Sequence, residues 1–309
     1  MVTRRSVLAG LCSCCMPGVV ARAAAQEAFS TEEIAAGIHV RRGVDEDVTS
    51  HNDDAIANIG FIVGRKAVAV TESGGSLRDG ERLRADIRRV TALPIRYVVM
   101  SHVHPDHIFG AGAFLADQPA FVAHSELPRA LAQRGEYYRK RLEDVLGAGN
   151  AGPVVQPTLL VERGAQIDLG DRVLELTAHA KAHSECDLTM LDRQTQTLFP
   201  ADLLFVQRVP SLDGSLKGWL QELPRLRALR AARAVPGHGP ASVNFDAAAD
   251  RLQEYLRSLL LGTRQAIAQG VEIDAAVKTV AQSQRPRWTL FDDYHGHNVT
   301  QAFKELEWE

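Results

Sequence analysis

From about residue 37 the chain alternates short β-branched runs with stretches of helical spacing. Ile59 to Val63 and Ala67 to Thr71 are two such runs, and the Gly64-Arg65-Lys66 between them predicts a hairpin. Gly74-Gly75 breaks the pattern, after which Leu77 to Val90 carries apolar residues at helical spacing with arginines on the other face. Ile95 to Met100 predicts a strand that delivers the chain into Ser101-His102-Val103-His104-Pro105-Asp106-His107. A helix is predicted over Glu126 to Leu146, followed by strands at Thr158 to Val161, Val173 to Thr177, Leu188 to Leu191 and Thr197 to Phe199. Leu216 to Leu229 reads as a helix despite Pro224, and Ala234-Val235 feeds Pro236-Gly237-His238-Gly239-Pro240. Residues 245 to 285 read as wholly helical, with Leu252, Leu256, Leu259 and Leu260 on one face. This order, strand-rich then helical and then both again, predicts an α/β (α+β) chain of two sheets packed face to face with helices outside.

The first 25 residues follow a different pattern. Thr3-Arg4-Arg5-Ser6-Val7-Leu8 precedes a short apolar run through Val20 and then Ala23-Ala24-Ala25, with no acidic residue. A basic start, an apolar middle of under about 15 residues and a small-residue exit predict a cleavable export signal; a membrane span needs about 20 apolar residues. The paired arginines resemble a twin-arginine (Tat) signal, which implies a periplasmic protein exported already folded. Processing as a lipoprotein at Cys14 is the less favoured reading, because the apolar run before it is short. Cleavage after Ala25 removes three arginines and no acid, moving the net charge from −3 to −6, and removes every cysteine except Cys186. No internal disulfide is then available. No later stretch is apolar and long enough to predict a membrane span. The composition of the full chain, 45% apolar and 24% charged, excludes a disordered or collagen-like chain, and the acidic balance gives no reason to expect nucleic acid as a partner.

The candidate chemistry lies in the strand-end segments. Zinc-class metals need several imidazoles and carboxylates converging, and strand ends on a rigid sheet are suited to aiming them. His102-x-His104-x-Asp106-His107 is too dense in such groups for an ordinary solvated loop. His183 before Leu188 to Leu191, Asp202 after Phe199 and His238 after Val235 are further candidates.

Taken in order, His102-x-His104-x-Asp106-His107, His183, Phe199-Pro200-Ala201-Asp202 and Pro236-Gly237-His238-Gly239 resemble the motif series of the metallo-β-lactamase superfamily. The resemblance implies an αββα sandwich over residues 26–245, with residues 246–309 as a C-terminal helical extension. It also implies a dinuclear metal site. His102, His104 and His183 would hold one metal, Asp106, His107 and His238 the second, and Asp202 would bridge them, with Asp106 also orienting the nucleophile. The donor set suits two zinc ions and would also accept iron or manganese. Glu72-Ser73-Gly74 departs from the usual Asp-Thr-Gly, and Ala201 stands where the bridging aspartate is usually preceded by glycine.

Asp202 makes the site similar to the thioesterase, lactonase and phosphodiesterase branches. The signal, Ala182-His183-Ser184-Glu185-Cys186-Asp187, Asp213-Gly214-Ser215-Leu216-Lys217-Gly218-Trp219 and the stretch from Asn298 to Trp308 resemble the exported zinc metallohydrolases associated with quinoprotein (PQQ-dependent) dehydrogenases and sulfur oxidation. The function this implies is a zinc hydrolase that attacks a carbonyl substrate (thioester, lactone or amide) by metal-bound hydroxide, with a quinoprotein dehydrogenase as partner. The competing expectations are an iron-dependent oxidoreductase, a β-lactamase and a non-hydrolytic accessory protein. Among the other residues, His183 is preferred to His179 as a ligand, because a Ser-x-x-Asp and a strand follow it. Cys186 is expected to be buried and inert. His295-Gly296-His297, with Tyr294 and Phe291, is expected in a surface loop before the last helix, with a substrate wall over the cleft as the competing reading. Arg134, Arg139, Lys140 and Arg141 are expected on a wet helix face, and His124 and His39 in structural roles.

Overall fold

The computed structural model describes residues 30–309, so the predicted export signal lies outside the described residues. Two sheets organise the chain. The first contains β1 (Glu32–Ala35), β2 (Ile38–Arg41), β3 (Ile59–Val63), β4 (Val68–Glu72), β5 (Ile95–Met100), β6 (Ala120–His124) and β7 (Leu159–Val161), in chain order. Its strands pair antiparallel from β1 to β4 and parallel from β4 to β7. The crossovers are α1 (Leu77–Val90), a segment that begins with the one-turn helix α2 (Pro105–Ile108), and α3 (Leu127–Leu146). The second sheet has the order β12-β11-β10-β9-β8 and is built from β8 (Gly164–Asp168), β9 (Val173–Ala178), β10 (Leu188–Asp192), β11 (Thr197–Phe205) and β12 (Arg233–His238). Here α4 (Leu216–Ala228) makes the parallel crossover from β11 to β12.

Side-chain alternation explains the layering. On β5, Val98 and Met100 join a cluster with Leu83 and Ile87 of α1, whereas Val99 joins one between the sheets with Leu176, Met190 and Phe199. On β12, Val235 enters that inter-sheet cluster, while Ala234 faces a third cluster with Trp219 and Leu223 of α4. Successive side chains on a strand point to opposite faces, so strands covered on both faces are apolar almost throughout. The architecture is therefore the expected αββα sandwich. Arg172 reinforces it: the guanidinium bonds Asp192 of β10 and donates to the carbonyls of Val63, at the end of β3, and Ala36, between β1 and β2.

The C-terminal helices continue the outer layer on the second sheet. Leu252, Tyr255, Leu256 and Leu259 of α5 (Phe245–Ala268) share a core with Leu198, Leu203 and Phe205 of β11. The predicted helical run over 245–285 is broken. After α5 the chain turns at Gly270 in the left-handed region (φ 66°), forms α6 (Ile273–Thr279) and a 3₁₀ turn (Gln282–Arg287), and enters α7 (Phe291–Leu306). Glycine at a helix C-terminus and Pro286 account for the breaks. β8 was not predicted, because Gly164-Ala165-Gln166 carries no β-branched residue and the strand buries little of its surface. No helix among the described residues is long and apolar enough to cross a membrane.

Candidate metal centre

The strand ends of both sheets meet at one place. His102 and His104 follow β5, and Pro105 opens α2 so that Asp106 and His107 fall in its first turn. His183 comes from the loop between β9 and β10, which a Ser184–Asp187 turn closes (Ser184 N to Asp187 Oδ2 2.9 Å). His238 ends β12. Asp202 was expected beyond a strand ending at Phe199, but β11 runs on to Phe205 with its register slipping on either side of Ala201. That irregularity accommodates Pro200 within a buried strand and turns Asp202 toward the histidines. Ala201 sits at φ 46°, a conformation glycine adopts with less strain. The approach of β12 is equally restricted, since a Cβ on Gly237 would lie 1.8 Å from Asp202 Oδ1.

Two groups of donor atoms result: His102, His104, His183 and Asp202, and Asp106, His107 and His238. Within each group the atoms lie within 4.8 Å of one another. His104 Nδ1 is 3.0 Å from Nε2 of both His102 and His183. Asp202 spans the groups, with Oδ2 3.4 Å from His183 and 3.6 Å from His238, and Oδ1 3.1 Å from His107 Nε2. Three of the other ring nitrogens are held from outside: His102 Nδ1 by Ser101 Oγ (2.8 Å), His183 Nδ1 by the Ser211 carbonyl (2.7 Å) and His238 Nδ1 by the Ile56 carbonyl (3.1 Å). Such bonds fix ring orientation and aim Nε2 inward.

A cation fits this arrangement. His107 Nε2 and Asp202 Oδ1 are buried without a hydrogen-bond partner among the described residues, and three imidazole nitrogens converge where a divalent ion would satisfy all of them. Burial, and then the neighbouring His107, press the His102 imidazole well below its ordinary pKa, so it is neutral, as a ligand must be. For His107 burial acts in the same direction, but the carboxylates of Asp202 and Asp106 outweigh it and hold the pKa well above the usual range. Burial favours protonation of Asp202, yet His107 and His238 keep its carboxyl well below the ordinary carboxylate range.

The centre opens into a cleft of about 470 Å³. Tyr138, Leu142 and Val145 of α3 form an apolar wall, and Arg208, Tyr294 and His297 stand on other sides. Asp213, also in the cleft, receives His104 Nε2 at 2.8 Å, His297 Nε2 at 3.1 Å and Arg134 at 3.2 Å. Its carboxyl therefore stays well below the usual range in spite of burial.

The other singled-out residues fall outside the two groups. His179 bonds Glu222 and Thr189, and His124 reaches the His179 carbonyl. His39 stacks on Phe61. Cys186 is buried, and burial pushes its thiol up to about 12. Two expectations are corrected. Arg134 bridges Glu185 and Asp213 at the cleft, so it is not part of a wet face. His295 and His297 lie within α7, with His295 buried against Tyr255 and Phe291 while His297 lines the cleft. Tyr294 lines the cleft with His297, as the competing reading of that segment has it, whereas Asp213 and Arg208 carry no recognisable sequence signal for that placement.

The chain belongs to the metallo-beta-lactamase superfamily, whose family model matches residues 52–238. Among curated proteins it is 31% identical over 207 residues to the acyl-coenzyme A thioesterase MBLAC2 of Bos taurus, covering 63% of this chain and 65% of that protein. The chain thus spans about two thirds of the length of that relative. It is also 24% identical over 242 residues to a linear primary-alkylsulfatase of a Pseudomonas strain, covering 66% of this chain and 44% of that protein. Among solved structures, a metallo-beta-lactamase from Pontibacter korlensis superposes with a TM-score of 0.60 at 16% identity, over 74% of this chain and 98% of that one. The sec-alkylsulfatase Pisa1 of Pseudomonas sp. gives 0.68 at 17% identity, over 90% of this chain and 50% of that one.

Proposed function

We infer that this chain is a metal-dependent hydrolase of an acyl thioester or a related carbonyl substrate. The observation that carries the reading is the pair of donor groups joined through Asp202 at the floor of an open cleft. His102, His104 and His183 would hold one ion and Asp106, His107 and His238 a second, with Asp202 shared between them. Zinc suits this nitrogen-rich set, and iron or manganese would also be accepted. Ions bound there supply Lewis-acid polarisation of a substrate oxygen and acidify water near neutral pH. Asp106 Oδ2, 3.2 Å from His238 Nε2 and lining the cleft, would accept a hydrogen bond from the attacking water and orient it. The apolar wall of Tyr138, Leu142 and Val145 matches an acyl chain, and the likeness to an acyl-coenzyme A thioesterase favours a thioester among carbonyl substrates.

Residues 1–25 as a twin-arginine signal, a periplasmic location and service to a quinoprotein dehydrogenase complete the proposal; they rest on the sequence resemblance. The decisive experiment presents zinc-loaded protein with acyl thioester, lactone, β-lactam, phosphodiester and alkyl sulfate substrates. Thioester turnover that Asp106→Ala abolishes supports the reading. Turnover of alkyl sulfate alone would replace it with sulfatase activity, and a purified protein rich in iron and inert toward every ester would replace it with oxidoreductase chemistry. Fractionation of the native cell and co-purification with a dehydrogenase test the location and the partner.

A further inference from the structure

A second cavity, about 510 Å³, shares Phe205 with the catalytic cleft but otherwise has different walls. Its floor is Phe205 and Val206 at the end of β11. One side is α5, through Ala248, Arg251 and Glu254, and the other is the segment through Arg287 and Trp288. The floor is fixed from beneath. Val206 N donates to the His238 carbonyl at 3.0 Å, the Phe205 ring stacks on His238 with centroids 5.0 Å apart, and Gly239 (φ 115°) packs so closely that a Cβ would lie 2.5 Å from Val206 O. A preformed concavity of this size, apolar below and charged at the rim, has the anatomy of a small-molecule site.

The polar groups indicate what it would hold. Arg287 is ion-paired with Glu254, whereas Arg251 is exposed and has no acidic partner among the described residues. Two arginines against one glutamate leave the rim one positive charge. Trp288, 8% exposed, adds an aromatic side chain to the wall.

We propose that this cavity binds a small organic anion with an apolar body, of which a medium-chain carboxylate is the simplest form. The carboxylate meets Arg251, and the chain lies over Phe205, Val206 and Trp288. The site is separate from the metal centre, and its occupation does not depend on which bond that centre hydrolyses.

Calorimetric titration of the metal-loaded full chain with decanoate tests this, with 1-decanol and acetate as probes of the two halves of the ligand. Decanoate is expected to saturate a single site, and each half-ligand to bind far more weakly. Arg251→Glu, on an exposed helix face, should weaken decanoate by roughly tenfold or more. Ala248→Trp should fill the cavity and remove binding, and both variants should keep the metal content and the hydrolytic rate measured without decanoate. Absence of saturable binding to the wild type overturns the proposal. So does Arg251→Glu retaining wild-type affinity, which would place decanoate elsewhere, including the catalytic cleft.

Discussion

His104 Nε2 lies 2.8 Å from Asp213 Oδ2 while its Nδ1 points into the first donor group, so one imidazole connects the metal-binding cluster to a carboxylate 109 residues further along the chain. Asp213 is in turn held by Arg134 from α3 and His297 from α7. The carboxylate fixes the tautomer that presents Nδ1 and raises the basicity of the ring, the usual contribution of an outer partner. Asp213→Asn is expected to weaken metal binding by about tenfold to a hundredfold. Competition with a chromophoric chelator measures this directly. Thermal unfolding of the metal-stripped protein should change much less, which separates positioning of a ligand from a general loss of fold.

Backbone around the shared carboxylate supplies a contrasting pair of substitutions. Gly237→Ala forces a Cβ to 1.8 Å from Asp202 Oδ1, and either Asp202 or β12 must move. A loss of about 1–3 kcal/mol in stability and a clear loss of bound metal are expected. Ala201 already occupies a left-handed conformation at φ 46°. Ala201→Gly removes that strain but adds chain entropy to the unfolded state, so its stability should stay within about 1 kcal/mol of wild type. Chemical denaturation with metal analysis on both variants checks the pair; equal tolerance of both would show that the close approach is not what holds Asp202.

The sandwich was legible in the sequence because its central strands are buried on both faces: Val98, Val99 and Met100 could be read as strand without knowing which cluster each joins. The seven residues that the fold brings together were legible because they fall in short motifs in or beside the strands; their service as metal ligands belongs to the proposal. By contrast, β8 escaped because Ile167 is its one β-branched and one buried residue, and its pairing with β9 is what makes Gly164–Asp168 a strand. Asp213 and Arg208 could not be placed in the cleft, since their neighbours come from distant segments: Arg208 donates to the Glu46 carbonyl and to Tyr294. The helix through His295 and His297 did carry a pattern. Phe291, His295, Asn298, Val299, Ala302 and Leu306 are its buried positions, and their spacing is helical, but two histidines around a glycine obscured it.

The Arg172–Asp192 pair gives a stability that depends on pH. Both side chains are buried, at 4% and 0% exposure, which makes loss of either charge costly. Burial raises the Asp192 pKa, but bonds from Arg172 and Thr195 overcome that and leave it below the ordinary carboxylate value. A depressed folded-state pKa contributes stability that is present above the unfolded value, about 3.9, and lost as pH falls through the folded one. Asp192→Asn should therefore cost roughly 2–3 kcal/mol at pH 7. The gap between variant and wild type should narrow below about pH 4. Urea denaturation from pH 7 down to pH 3 measures both, and a gap independent of pH would mean the carboxylate charge contributes nothing.

Cys186 lies three residues from His183, yet its side chain packs in the cluster beneath the first sheet and takes no part in the donor groups. Its thiol, raised to about 12 by burial and next by the Asp187 carboxylate, is protonated throughout the physiological range and shielded from solvent. Thiolate is the reactive species, so alkylation of the folded protein at pH 8 should be very slow and should become rapid in denaturant. Cys186→Ala should lower stability by about 1 kcal/mol through the lost buried sulfur and leave metal content unchanged. Mass spectrometry of iodoacetamide-treated protein, with and without urea, reads the first expectation, and elemental analysis of the variant reads the second. Rapid labelling of the native state would show that the thiol is neither shielded nor protonated, and loss of metal from the alanine variant would make this cysteine a candidate ligand.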